Sequence, residues 1–305
     1  MLKLELNKQD LKKAIIKMIA FFDLFDSPLT VYEIYHNFGH QFSLSSLLIN
    51  LDNLISDDQS IIQSSQGFYF LKGRIEIIKI RQKRYHYFYR KLKIAQAFTF
   101  LFKFFPSVEM IALANVMGAY NLRDQGDIDF FIITKEHRLW LTRFYCAGLA
   151  KLLHSRPTQQ NKQDKICLSF YLSIKNLNLN SLHLKPTDPY FDYWPSQLVL
   201  LYNKHRTYQL FQVANNLVFS ENQNNNYSSD FLINNSNFNS NNSLLNYLDN
   251  IFKKIQWLIM PSILKQAANH QAGVVIKPGI LKFYLRDRRR EFVQKYEQKI
   301  KTIFS

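Results

Sequence analysis

Near the start of the chain apolar residues recur three or four apart, at Leu11, Ile15, Ile16, Ile19, Phe22 and Phe25. That period predicts a helix over residues 8–25, broken by Asp26-Ser27-Pro28. Thr30 with Glu33 three positions later has the form of a capping box. It predicts a short helix over 31–38, ended by Gly39. Ser43 opens a third helix over 44–55, with Leu47, Leu48, Leu51, Leu54 and Ile55 on one side. Two short β-like runs, 60–63 and 68–71, follow around Ser64-Ser65-Gln66-Gly67. Three helices and a hairpin in this order predict a winged-helix-like domain over residues 1–75. The next apolar pattern predicts a basic helical connector over 76–105.

The pattern then changes period. Residues 111–134, IALANVMGAYNLRDQGDIDFFIIT, read as an apolar strand, a polar loop containing Gly118, and a second strand at Phe130-Phe131-Ile132-Ile133. Gly126-Asp127-Ile128-Asp129 runs straight into that second strand. Side chains alternate along a strand, so Asp127 and Asp129 share one side. Two like charges there repel unless a cation sits between them. Mg²⁺ suits the position, because it takes hard oxygen ligands from one or two carboxylates plus substrate phosphates.

These residues resemble the nucleotidyltransferase superfamily of the DNA polymerase beta type, with its strand, turn and Asp-x-Asp on the next strand. The chain is also similar to a bacterial family carrying that domain behind an N-terminal winged-helix-like region. The matching parts are Asn121, Asp127-Ile128-Asp129, Phe130-Phe131-Ile132-Ile133 and Leu139-Trp140-Leu141-Thr142-Arg143. Further matches lie at 166–172, at 190–202, at Leu281-Lys282-Phe283 and at Asp287-Arg288-Arg289. The resemblance implies an α+β fold whose central mixed sheet, over 106–185, carries flanking helices. It implies Asp127 and Asp129 as catalytic residues and ligands of Mg²⁺ or Mn²⁺, with a nucleoside triphosphate as substrate. Asn115, Val116 and Gly118 would line the phosphate loop, Asn121 would help to close it, and Arg143 would neutralise phosphate or pair with a site carboxylate. The Gly-Ser pair of the superfamily is absent; Asn115-Val116, or Ala114-Asn115, stands in its place. The strand at 166–174, where a third carboxylate would be sought, holds no Asp or Glu; Asp164 precedes it and Asp188 follows it. The expected activity is transfer of NMP to a hydroxyl or amine acceptor. The alternative is a catalytically degenerate version of the same fold, binding nucleic acid or protein.

Downstream, the sequence predicts a helix over 139–153, a strand over 166–174 and a half-exposed strand over 176–184. Beyond Pro186-Thr187-Asp188-Pro189 it predicts a helical C-terminal region over 186–305, with helices at 190–203, 207–219, 244–260 and 286–303. An Asn-rich loop at 220–243 interrupts it.

Charge adds one partner. The 305 residues carry a formal net charge of +16, which favours polyanions, although codon bias toward Lys and Asn gives the same total. The densest cluster runs from Lys72 to Lys93 and includes Arg74, Lys79, Arg81, Lys83, Arg84, Arg90 and Lys91, interleaved with Tyr85, Tyr87, Phe88 and Tyr89. A nucleic-acid surface and a solvated helix face are the two expectations for it. The third helix, 44–55, has no Lys or Arg, which speaks against a DNA-reading role. No apolar run reaches the roughly 18 residues of a membrane span, and Cys146 and Cys167 lack metal-ligand spacing. The expectation is a cytoplasmic protein with reduced thiols and no membrane partner.

Overall fold

The computed structural model describes residues 8–39, 42–57, 60–114, 121–217 and 242–305. It is a mixed α+β structure built on two sheets. Helix α1 (Lys8–Asp23), strand β1 (Leu29–Thr30), helices α2 (Val31–Asn37) and α3 (Leu44–Ile55), and strands β2 (Ile62–Ser65) and β3 (Phe68–Leu71) come first. The strands form an antiparallel sheet in the order β1-β3-β2. The capping box is made: Thr30 N–H donates to Glu33 Oε2 at 2.9 Å, and Glu33 N–H donates to Thr30 Oγ1 at 3.2 Å. Ser43 caps α3 by accepting from Ser46 N–H. Two-residue β1 carries no period, and the sequence pattern passes over it.

Helix α4 (Glu76–Phe102) leads to the larger sheet. Strands β4 (Val108–Leu113), β5 (Ile128–Thr134), β6 (Ile166–Ser173), β7 (Val199–Asn203), β8 (Val274–Lys277) and β9 (Ile280–Phe283) stand in the order β7-β4-β5-β6-β9-β8. Only β5 and β6 are parallel, joined through helix α5 (Leu139–Leu152). Alternation on β5 divides the core. Ile128, Phe130 and Ile132 pack with α4 and α5, whereas Phe131 and Ile133 face a cluster that includes Ile15, Phe21 and Phe22 of α1. The N-terminal helices and one face of the large sheet thus share a single apolar cluster.

The remaining helices are α6 (Pro189–Tyr193), α7 (Thr207–Ala214), α8 (Ser243–Ile259), α9 (Ser262–Ala267) and α10 (Arg289–Phe304). Three expectations are corrected here. The region after 186 is not purely helical, since β7, β8 and β9 come from it and complete the large sheet. The run expected as one helix over 190–203 is α6, a 3-10 turn at Trp194–Gln197 and edge strand β7. Short apolar runs do not distinguish helix from strand by period, and Pro195 ends the helical stretch. Residues 176–184 form no strand; they hold only a 3-10 turn at Asn180–Leu182. Their backbone is met by side chains instead: Leu179 N–H donates to Asn215 Oδ1 and Asn215 Nδ2 donates to Leu177 O, each at 2.9 Å. Leu177, Leu179 and Leu182 are buried by this turn. At the β8–β9 hairpin Gly279 takes φ 81°. A Cβ there would lie 1.7 Å from Asn176 Oδ1, so the turn requires glycine.

Candidate active site

A cavity of about 480 Å³ opens beside the start of β5. Asp127 and Asp129 line it from the sheet, and Leu24 and Phe25 line it from the end of α1. Tyr190, Phe191 and Trp194 come from α6 and the turn after it, and residues 284–295 close the far side. The alternation that sends Phe130 and Ile132 to the α5 side leaves Asp127 and Asp129 facing the α1 side together.

Asp129 pairs in register with Cys167 on parallel β6. One ligand atom from each of Asp127, Asp129 and Cys167 lies within 4.8 Å of the others. A bulge follows at once, because Phe131 pairs with Phe170 rather than Ser169. The Asp129 side chain is half-buried overall, but its carboxyl lies deep in the cleft. Burial, then the neighbouring Asp127 charge, raises its pKa to about 7, against smaller opposing effects of Cys167 and Lys91. The Cys167 thiol is pushed well up by burial and by both aspartates, and its Sγ lies 2.9 Å from Ser169 Oγ. Two carboxylate oxygens on one side of a strand fit a hard divalent ion. A soft thiol held protonated is a poor partner for such an ion; Cys167 hydrogen-bonds Asp129 instead.

The loop between β4 and β5 is fastened at both ends. Ala114 N–H donates to Asp129 O at 2.9 Å, and Trp194 Nε1 donates to Ala114 O at 3.1 Å. At the other end Lys91 Nζ, fully buried on α4, donates to Gly126 O at 2.5 Å and to Asp164 Oδ1 at 2.8 Å. Asn121 is buried. Its Oδ1 accepts from Arg84 Nη1, which also donates to Phe25 O at 2.7 Å and Asp26 O at 3.1 Å. Arg84 therefore ties the loop to the end of α1, and burial lowers its pKa.

Of the residues expected at the site, Asp127, Asp129 and Asn121 line the cavity. Asn115, Val116 and Gly118 lie outside the described residues. Arg143 does not line the cavity. It sits on α5, across the sheet, where its Nη1 donates to Gln256 Oε1 and its guanidinium lies 4.5 Å from the Phe283 ring centre. Helical position 143 faces α8 and β9, so the phosphate or site-carboxylate role expected for it gives way to a packing role. Asp164 is occupied by Arg90 and Lys91, and buried Asp188 by Arg289, so neither supplies the third carboxylate.

Further features of the site lie outside the residues expected to form it. Arg123 and Arg286 are exposed and line the cavity. Arg286 belongs to an arginine run with Arg288, Arg289 and Arg290 that the sequence offers as a phosphate binder or as ion-pair partners, whereas Arg123 carries no signal. Neither forms an ion pair with another described residue. Tyr190 and Tyr284 lie near Asp129, and burial followed by that charge raises both phenols. Phe25, Tyr190 and Phe292 build an aromatic wall, with Phe25 and Phe292 rings 4.9 Å apart. Cys167 is recognisable only as the first polar position of an apolar strand. Arg288 and Arg289, by contrast, are engaged. Arg288 pairs with Glu291, and Arg289 pairs with Asp188 and Asp287. Burial opposes ionisation of Asp287, but Arg289 and Lys282 bring its pKa down to about 2. No family model, curated protein or solved structure matches this chain.

Proposed function

We propose that this cavity is the site of a metal-dependent nucleotidyltransferase of the DNA polymerase beta type, preceded by a winged-helix unit. One observation carries the reading. Two carboxylates on one side of β5 and two exposed guanidiniums, without ion pairs among the described residues, line one and the same cavity. Asp127 and Asp129 would hold Mg²⁺ or Mn²⁺, which supplies charge neutralisation on phosphate oxygens. Arg123 and Arg286 would bind and orient the phosphate chain of a nucleoside triphosphate. Phe25, Tyr190 and Phe292 offer an aromatic wall for a base, with the Tyr190 and Phe292 rings near-parallel and Phe25 set edge-on to them. Buried Arg84 and Lys91 hold the loop at Asn121 and Gly126, which positions the aspartate end of the site before substrate arrives. The transfer moves NMP to a hydroxyl or amine acceptor and releases pyrophosphate.

The test is nucleotide-dependent thermal stabilisation with Mg²⁺ or Mn²⁺, because a ligand of the native state raises stability by RT ln(1 + [L]/Kd). The wild-type chain should be stabilised by a nucleoside triphosphate plus metal. Asp127→Asn with Asp129→Asn should lose that effect and keep its fold. Stabilisation that survives the double substitution removes the two aspartates from the site.

The second reading rests on Cys167. It occupies the strand position beside Asp129, where a third carboxylate would be sought, and its thiol is neutral. A nucleotide-binding or scaffolding module without transfer is the form this takes. Metal-dependent binding with no pyrophosphate release for any acceptor supports it over the enzyme.

The nucleic-acid surface expected over Lys72–Lys93 is reduced to four exposed lysines without an ion pair among the described residues. Arg74, Arg81, Arg84, Arg90 and Lys91 all pair with acids of their own chain. Lys72, Lys79, Lys83 and Lys93 stay exposed and are the residues a polyanion would meet.

A further inference from the structure

Helix α8 is apolar on more than the face it buries. Its inner side is committed to α5. Asp249 accepts from Leu141 N–H at 2.8 Å, Gln256 Nε2 donates to Trp140 O at 2.7 Å, and the Phe252 ring lies 4.2 Å from Phe144. The outer side ends in a corner, where Met260 and Pro261 turn the chain from α8 into α9. Leu258 is 80% exposed there, Ile259 72%, Ile263 59% and Trp257 41%. Such a cluster at a helical corner is costly in water and marks an interaction surface.

The charge around the corner says which kind. From Asn250 to Arg286 the chain has no Asp or Glu. Lys253 and Lys254 are exposed on the last turns of α8, and Lys265 reaches back from α9 to donate to Leu258 O at 3.2 Å. Apolar tips with an indole, flanked by lysines in a stretch of chain that has no acids of its own, have the composition of an interfacial anchor. In such an anchor apolar tips enter the acyl boundary, an indole sits at the headgroup level, and lysines meet anionic headgroups. No helix of the described residues is long and apolar enough to cross a membrane, and an anchor of this composition lies in the interface without crossing it.

We propose that the α8–α9 corner docks on an anionic membrane surface. Trp140 and Trp194 are buried, so Trp257, the one exposed tryptophan of three, reports on the corner. The full chain should show the emission of a water-exposed indole in buffer. It should shift to the blue with mixed phosphatidylcholine–phosphatidylglycerol vesicles and much less with phosphatidylcholine alone. Leu258→Ser with Ile259→Ser leaves net charge untouched and should weaken co-sedimentation with the mixed vesicles by about tenfold or more. Lys253→Gln with Lys254→Gln should reduce the preference for the anionic lipid.

Several results would overturn this. Vesicle binding unchanged in the serine variant would mean diffuse attraction by the chain's positive charge. A buried indole spectrum in the lipid-free monomer would mean that the chain covers its own corner. Self-association in buffer that the serine variant abolishes would assign the corner to a second copy.

Discussion

Helix α4 and the cavity rim are both rich in cations, and the two regions use them in different ways. On α4, Arg81 and Lys91 are almost completely buried and bind Glu33 and Asp164. Arg84 is enclosed between the end of α1 and Asn121. On the rim, Arg123 and Arg286 are exposed beside two aspartates and make no ion pair with a described residue. In sequence α4 is by far the stronger polyanion signal, and most of its charge is structural. A solvated guanidinium facing a cavity can meet a ligand, whereas a buried one has already shed its water and holds its partners.

That contrast is easiest to break at its buried end. Lys91→Ala removes the donor to Gly126 O and one of the two cations on Asp164; Arg81→Ala strands Glu33. Each should cost about 3 kcal/mol, read as a lower midpoint in denaturant with an unchanged slope. A cost within about 0.5 kcal/mol, typical of exposed positions, would mean that α4 is not pinned this way in solution.

The rim should behave in the opposite sense. Arg123→Ala with Arg286→Ala should leave the denaturant midpoint nearly unchanged. It should weaken binding of a nucleoside triphosphate by about a hundredfold, roughly 2.7 kcal/mol, measured by calorimetry. A large stability loss with unchanged binding would place these two arginines with those of α4.

How much of this is legible in the sequence depends on the range of each interaction. The Thr30–Glu33 box, helix 44–55 and the Asp-x-Asp strand each depend on residues a few positions apart, and each forms as its local signal predicts. The central sheet is only half visible, because β7 and the β8–β9 hairpin arrive from far along the chain and are too short to carry a period. Arg123 and Arg286 stand well over a hundred positions apart in sequence, and no local pattern brings them to one cavity. Arg143 departs from expectation because helix phase, rather than closeness to Asp129 in sequence, decides which face of the sheet it meets.

Asp129 gives a third, smaller test. If a rim guanidinium closed onto it in solution, its pKa would fall; burial and Asp127 instead hold it near 7. The folded value lies above the unfolded one, so the folded state binds the extra proton between about pH 4 and 7. Stability should therefore fall as pH rises through that window. The loss should amount to about 1–2 kcal/mol once the partial exposure of the side chain is allowed for. Asp129→Asn should flatten the slope, and Mg²⁺ with a nucleoside triphosphate should reduce it. A slope of the opposite sign would mean that a cation has closed on the carboxyl.

The smallest effect belongs to the lysines that α4 leaves in water. Lys79 and Lys83 are exposed, so replacing both with alanine should change stability by no more than about 0.5 kcal/mol. Their contribution, if the segment touches nucleic acid, lies in counterion release. Each lysine–phosphate pair removed should make the dependence of log K on log salt shallower by about 0.7–0.9. A single-stranded oligonucleotide titrated at several salt concentrations reads that slope directly. Weak binding with an unchanged slope in Lys79→Ala with Lys83→Ala would mean that α4 meets no phosphate, its cations serving the fold alone. A slope shallower by the amount expected for both lysines would mean that the exposed turns of the same helix serve a polyanion while its buried turns hold the site.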